Sequence, residues 1–263
     1  MHFVTLTSDW NKDDFYTGAI KGSILSSCEQ VKIITLTNRI RSYSITEAAF
    51  IVRNSYAHFP ENTVHIIAVG TEAAPGASLL AARINGHYFL TADNGIVGLL
   101  GDSGDAEIVE LARDRHAGAE SFPALKYFSK AACSIINGAT LQSLGKITEA
   151  YKKQVPLRPT VEDNTIMGSV IYIDSYGNAI TNIAAELFQR IGKNRPFTIF
   201  VQSKHYRISV LNRYYAETTP GDLLALFNSV NLLEIAIHSG SARELLNLNT
   251  NSTVRIEFNT ERK

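Results

Sequence analysis

The feature that most constrains this chain is a change in its apolar pattern near residue 156. Ahead of that point, short apolar runs alternate with segments of helical spacing. HFVTLTSD (2–9), VKIITLT (31–37), TVHIIAVG (63–70) and HYFLTAD (87–93) read as buried strands. Between them, Phe15, Ile20, Ile24 and Leu25 fall on one side of a helix. A second helix spans 44–59, with Ser44 as its N-cap and Ala48, Ala49 and Val52 at helical spacing. A third covers about 124–139 and stops at Gly138, a C-cap glycine. Strands separated by helices predict an α/β domain over 1–155, built on a mostly parallel sheet covered on both faces. The stretch KKQVPLRPTVEDNT carries two prolines and few apolar residues, so 156–164 reads as a linker. Beyond it strand follows strand: GSVIYID, NAITNI, PFTIFVQ, HYRISVL, DLLALFN, LLEIAIH and TVRIEF. Only 184–192 and 240–246 look helical, and Ser229-Val230-Asn231 links two strands as a tight hairpin. A smaller antiparallel all-β domain is therefore expected over 165–263.

At 263 residues the chain can bury a substantial core. Lys plus Arg equals Asp plus Glu at 25 each, and no basic stripe is visible. That balance argues against nucleic acid or an anionic membrane as the main partner and is compatible with self-association. Cys28 and Cys133, the only cysteines, sit in apolar helical patterns and read as buried free thiols. With no leader-like opening and no run long enough to span a membrane, a cytoplasmic location is expected.

Ligands of open α/β sheets gather at the carboxyl ends of strands. Three such ends are polar here: Thr7-Ser8-Asp9 running on through Lys12, Asp13 and Asp14, the small-residue loop 70–76, and Asp93-Asn94-Gly95. A carboxylate there can accept both hydroxyls of a ribose. The bland alternatives are a turn for Asp-Asn-Gly and a helix-capping role for Asp13 or Asp14. In the second half, IDSYGNAITN (173–182) offers a carboxylate, an aromatic face and an amide on one turn, the set a purine needs; it reads equally as a plain hairpin. A magnesium-dependent phosphohydrolase using Asp9, Asp13, Asp14 and Asp93 is a further reading, weakened by the lack of a phosphate-binding Lys/Ser motif.

These motifs resemble those of the S-adenosyl-L-methionine (SAM) hydroxide adenosyltransferase and halogenase family. TLTSDWNKDDFYTGAIKGSIL (5–25) is similar to its Thr-Thr-Asp-Phe-Gly opening, and AAFIVRNSYAHFPENTVHIIAV (48–69) to its Ala-Ala-Phe…Phe-Pro…Thr-Val-His segment. GHYFLTADNG (86–95) resembles its Pro-Asp-Asn-Gly block, GSVIYIDSYGNAITNI (168–183) its Asp-x-Phe-Gly-Asn motif, and 214–242 its Asn-Ser…Leu-Glu-Ile-Ala segment. The resemblance implies a homotrimer in which SAM lies between the first domain of one subunit and the second domain of the next. It implies that Asp9 holds the ribose, that Asp14, Asp174 and Ser229 meet the methionine end, and that Tyr176, Asn178 and Tyr215 frame the adenine. Tyr43 would be the aromatic set against the ligand. SAM would be substrate or ligand, with no separate cofactor or metal.

The departures concern the nucleophile. Family hydroxide transferases carry an Asp-Arg-His set that activates water. Here Gly70 stands near the Asp position, Ala77 or Ser78 near the Arg, and Pro123 at the His, with Lys126 where the block's Asp belongs. Ala124 occupies the position of the halogenases' halide-binding serine. The catalytic residues are thus unknown from sequence; Glu72 and His116 are candidate replacements whose ordinary reading is as surface residues. Two functions follow: a transferase with a rewired nucleophile site that turns SAM into adenosine and methionine, or a non-catalytic adenosyl-ligand sensor.

Overall fold

The first apolar run forms β1 (His2–Ser8), whose last five residues are buried. Helix α1 (Phe15–Ser27), β2 (Val31–Thr37), α2 (Ile45–Arg53) and β3 (Val64–Ala68) follow. Then come β4 (Leu79–Ile84), β5 (His87–Ala92), β6 (Glu107–Leu111), α3 (Ser129–Ile136) and β7 (Gly145–Ile147). A π-helical turn, Ala124–Phe128, leads into α3, and Gly138 at φ +89° lies just past its end. This computed structural model describes residues 1–10, 14–71, 77–101, 106–113 and 121–259. The chain divides into two compact units, Met1–Pro156 and Leu157–Lys263.

Among the described residues, the seven strands of unit 1 lie in the order β2-β1-β3-β5-β4-β6-β7. The three ladders joining β2, β1, β3 and β5 are parallel; the three joining β5, β4, β6 and β7 are antiparallel. The sheet is therefore mixed, which corrects the mostly parallel expectation. The cause is a hairpin: Asn85 and Gly86 have φ of +48° and +79°, the left-handed pair that a two-residue turn between β4 and β5 requires. Both faces are covered. Ile20 and Ile24 of α1 and Ala131, Ala132 and Ile135 of α3 bury one face, against Leu6, Ile66 and Leu90. Ala48, Ala49 and Val52 of α2 bury the other, against Ile67, Leu80 and Phe89.

On the first of these faces α1 and α3 lie side by side, and Cys28 and Cys133 are joined in a disulfide with Cα atoms 5.6 Å apart. The free thiols expected from the sequence are corrected accordingly. A separation of 105 residues hides the pairing, which follows only from the packing of the two helices.

Unit 2 contains β8 (Thr160–Glu162), β9 (Thr165–Ile173), β10 (Ala179–Ala184), α4 (Ala185–Gly192), β11 (Phe197–Val201) and β12 (Arg207–Ile208). It continues with β13 (Leu223–Phe227), β14 (Leu232–Ile237), α5 (Ala242–Leu245) and β15 (Thr253–Phe258). The strand path is β12-β11-β15-β9-β10-β14-β13 with β8 on β9, and every ladder is antiparallel. Asn212 N–H donates to Ala225 O at 2.8 Å, bringing the chain after β12 against β13, so the two ends of the path meet. HYRISVL yields only the two residues of β12, shorter than expected. The period-two burial of β15 puts Val254, Ile256 and Phe258 in the core with Ile166, Ile199 and Ile235. Among the described residues no helix is long and apolar enough to cross a membrane.

Candidate functional site

Because β1, β3 and β5 run parallel as neighbours, their carboxyl ends share one edge of the sheet. Strand β4 starts, and β6 ends, at that same edge. Asp9 follows β1, and its Oδ2 accepts two backbone N–H groups: Tyr43 at 2.9 Å and Gly70 at 3.3 Å. The carboxylate is thus aimed by amides from the turns after β2 and β3. Both turns need left-handed backbone, with φ of +64° at Tyr43 and +59° at Gly70, so glycine suits the position where the family carries an aspartate. The Tyr43 ring is 69% exposed. Asp14 is the N-cap of α1, exposed, and makes no capping hydrogen bond with its side chain.

The turn after β5 serves the frame. Asp93 Oδ1 accepts Lys152 N–H at 2.8 Å, while Asn94 Nδ2 donates to Val69 O at 2.9 Å and ties β5 to β3. Asp13, Glu72 and His116 lie outside the described residues. Among the described residues no group of three or more His, Cys, Asp or Glu is placed to hold a metal ion.

Two features of this edge escaped the sequence reading. Trp10, buried beside Asp9, meets Phe122 edge-on at 5.1 Å between ring centroids, and Tyr16 also packs on Phe122. Arg113, two residues past β6, hydrogen-bonds through Nη1 to Ala77 O and lies 5.7 Å over the Tyr127 ring. A guanidinium therefore stands beside Ala77, a position where local sequence offers no arginine; only the β4–β6 pairing brings it there. Thr7, Ser8, Thr71 and Thr91, near the same edge, have buried hydroxyl oxygens with no hydrogen-bond partner among the described residues.

In unit 2 the residues flagged by sequence cluster around two turns. Asp174 Oδ1 accepts N–H from Tyr176 and from Asn178, each at 2.9 Å, and its Oδ2 accepts Asn178 Nδ2 at 3.0 Å. The hairpin reading and the ligand reading of this turn are thus both compatible with its structure: Asp174 builds it, Asn178 is buried, and Tyr176 is left 78% exposed. Gly177, at φ +81°, passes its carbonyl to Arg243 N–H at 2.8 Å, which docks the turn on α5. A Cβ at Gly177 would lie 2.2 Å from Ser241 Oγ and 3.3 Å from Ser241 Cα. Gly177→Ala is therefore expected to destabilise unit 2 by about 2–3 kcal/mol, combining left-handed strain with a clash. Chemical denaturation measures this, and an unchanged midpoint would show that the turn yields freely.

The second turn joins β13 to β14 and carries Ser229, which is exposed. Asn228 holds it by accepting Val230 and Leu232 N–H on Oδ1, both at 3.1 Å. Its Nδ2 donates to Glu234 Oε2 at 3.0 Å, and Tyr215 O–H donates to Glu234 Oε1 at 2.6 Å. Burial first, then the hydrogen bond and charge of Glu234 and the charge of Asp174, push the Tyr215 phenol well above its ordinary pKa. Glu234, 2% exposed, has no role assigned to it from sequence; its signals are an acidic residue inside an apolar strand and its place in the Leu-Glu-Ile-Ala segment.

An α/β unit whose sheet edge presents an amide-held carboxylate, followed by a β unit with aromatic and acidic turns, defines the class: a two-unit protein suited to a nucleoside-like ligand. Residues 4–145 match the SAM hydroxide adenosyltransferase N-terminal domain and residues 168–255 the C-terminal domain. The chain belongs to the SAM hydroxide adenosyltransferase family. It is similar to the (R)-S-adenosyl-L-methionine hydrolase of Methanocaldococcus jannaschii, 24% identical over 98% of this chain and 97% of that protein. The protein of the same name from Thermus thermophilus is 25% identical over 97% of this chain and 100% of its own length. A solved structure of an uncharacterized conserved protein from Thermotoga maritima shares the fold, with a TM-score of 0.85 and 21% identity over 97% of this chain and 99% of that one.

Proposed function

We propose that this protein binds SAM and hydrolyses it to adenosine and methionine. Water oxygen attacks the ribose C5′ and the C5′–S bond breaks. The sulfonium leaves as neutral methionine thioether with the bonding electron pair, and the attacking water loses a proton to solvent. The observation that carries the reading is the match of both domains, in order, combined with an aimed carboxylate at Asp9. In this reading Asp9 accepts the ribose hydroxyls and Tyr43 covers the ligand. Tyr176, Asn178 and Tyr215 frame the adenine; Asp14, Asp174 and Ser229 meet the methionine end. Arg113 stands beside Ala77, where the sequence lacks the family's arginine, and its charge favours a bound, polarised water. The sites belong to a homotrimer, each shared between unit 1 of one copy and unit 2 of the next. Free thiols would have fitted the cytoplasmic setting expected from sequence, and the Cys28–Cys133 disulfide does not lend it that support.

Asp9→Asn keeps an oxygen for the two amides but puts a donor where the ribose needs an acceptor, so affinity for SAM should fall roughly tenfold to hundredfold. Adenosine release from SAM, followed by chromatography, measures turnover. Unfolding and refolding Asp9→Asn together with Tyr176→Ala should raise activity at low SAM above that of either variant alone, because mixed trimers contain intact shared sites. Tight SAM binding with no adenosine above the water background would identify the sensor instead. No binding at all would sink both readings.

A further inference from the structure

The Tyr215–Glu234 pair fixes the direction of a hydrogen bond. A carboxylate only accepts, and both oxygens of Glu234 are met by donors: Tyr215 O–H at 2.6 Å and Asn228 Nδ2 at 3.0 Å. Asn228 cannot turn its amide over, because its Oδ1 already accepts the N–H groups of Val230 and Leu232. Glu234 is buried on β14, whose register with β10 sets it opposite Ile180, two residues past Asn178. The one proton of the Tyr215 phenol is thus committed inward, and its oxygen has only lone pairs to offer a ligand. Burial, Glu234 and Asp174 all favour the neutral phenol over phenolate, so that arrangement persists through the neutral range. The ring is 42% exposed and within electrostatic reach of Asp174, at the turn that carries Tyr176 and Asn178.

We propose that Tyr215, oriented by Glu234, is a specificity determinant that accepts a hydrogen bond from the 6-amino group of the ligand's purine and disfavours a 6-oxo purine. A 6-amino group donates, whereas a 6-oxo group presents a second acceptor to an oxygen with no proton to share. The inference rests on the adenosyl reading above and adds to it which purine edge is read and by which atom. Glu234 is a positioning residue, since it acts only through Tyr215.

Calorimetry with adenosine and inosine tests it. The unaltered protein should favour adenosine by roughly tenfold to hundredfold, the range of one unpaired acceptor. Tyr215→Phe should reduce the preference to within about twofold, largely by weakening adenosine. Glu234→Gln should erode it too, because its amide no longer offers acceptors to both the phenol and Asn228. A merely structural role for the pair would weaken both nucleosides alike and leave their ratio unchanged. A preference that survives in Tyr215→Phe, or equal binding of adenosine and inosine by the unaltered protein, would overturn this inference and leave the adenosyl reading intact. Failure of both nucleosides and SAM to bind would overturn that reading, and this inference with it.

Discussion

Reducing the Cys28–Cys133 disulfide is expected to lower the stability of unit 1 by about 4–5 kcal/mol. The bond closes a separation of 105 residues, so the oxidised unfolded chain forfeits a large loop entropy that the reduced chain keeps. Little offsets the loss in the folded state. Both cysteines are 6% exposed in the packing of α1 against α3, and reduction leaves two buried thiols in place of one bond. In a unit of this size the change corresponds to a fall in Tm of roughly 10–20 °C. Thermal unfolding with and without reductant measures it, with thiol titration to show that both sulfurs are reduced. The Cys28→Ser, Cys133→Ser double variant should reproduce the reduced state, and unit 2 carries no cysteine, so its own transition serves as the internal control. An unchanged unit 1 transition with two titratable thiols would refute the account. A softer α1 would also bear on the proposed site, because its N-cap, Asp14, lies five residues past the carboxylate at Asp9.

The parts of this fold that were legible in the sequence are those whose signals are local. β2 and β15 fall on the residues their apolar runs indicate, and Gly138 marks the end of α3 as a C-cap glycine does. β4 was missed although Asn85-Gly86, a strong hairpin dipeptide, stands between LLAARI and HYFLTA. Strands buried on both faces carry no alternation, so nothing in their own residues distinguishes parallel from antiparallel neighbours; that loss turned a mixed sheet into a mostly parallel one. The candidate site divides the same way. Asp9 and the Asp174–Asn178 turn stand out as polar breaks at strand ends. The Gly70 amide on Asp9, Arg113 beside Ala77 and Glu234 beneath Tyr215 depend on which strands pair, and pairing is a long-range property. The disulfide is the extreme case, since nothing local links its two partners across a separation of 105 residues.

Acidification from pH 6.5 to 4 is expected to destabilise unit 1 by on the order of 3 kcal/mol through His65 alone. His65 is fully buried on β3, with Nδ1 2.7 Å from Thr5 Oγ1 and Nε2 3.2 Å from His87 Nδ1. Phe89 stacks on it and Tyr56 meets it edge-on, so an imidazolium there would lose its hydration and gain no carboxylate partner. Burial, and then the neighbouring His87, push its pKa down to about 3. Burial lowers that of His87 as well, against an opposing pull from Glu61. In the unfolded chain His65 takes up its proton near pH 6.5, while in the folded chain it does not until about pH 3. Between those values the unfolded state binds the extra proton, and folding stability drops by roughly 1 kcal/mol for each pH unit lost. Above pH 6.5 neither state is protonated at this residue and its contribution is complete. Denaturant midpoints taken from pH 7.5 to 4 should therefore bend downward near 6.5, before the carboxylates begin to titrate. His65→Gln removes the titrating group, so its curve should be flatter through that window by about one proton, whatever its absolute stability. Parallel slopes for the two proteins would mean that His65 is protonated in the folded state, and that the buried pair does not set the acid limit of this fold.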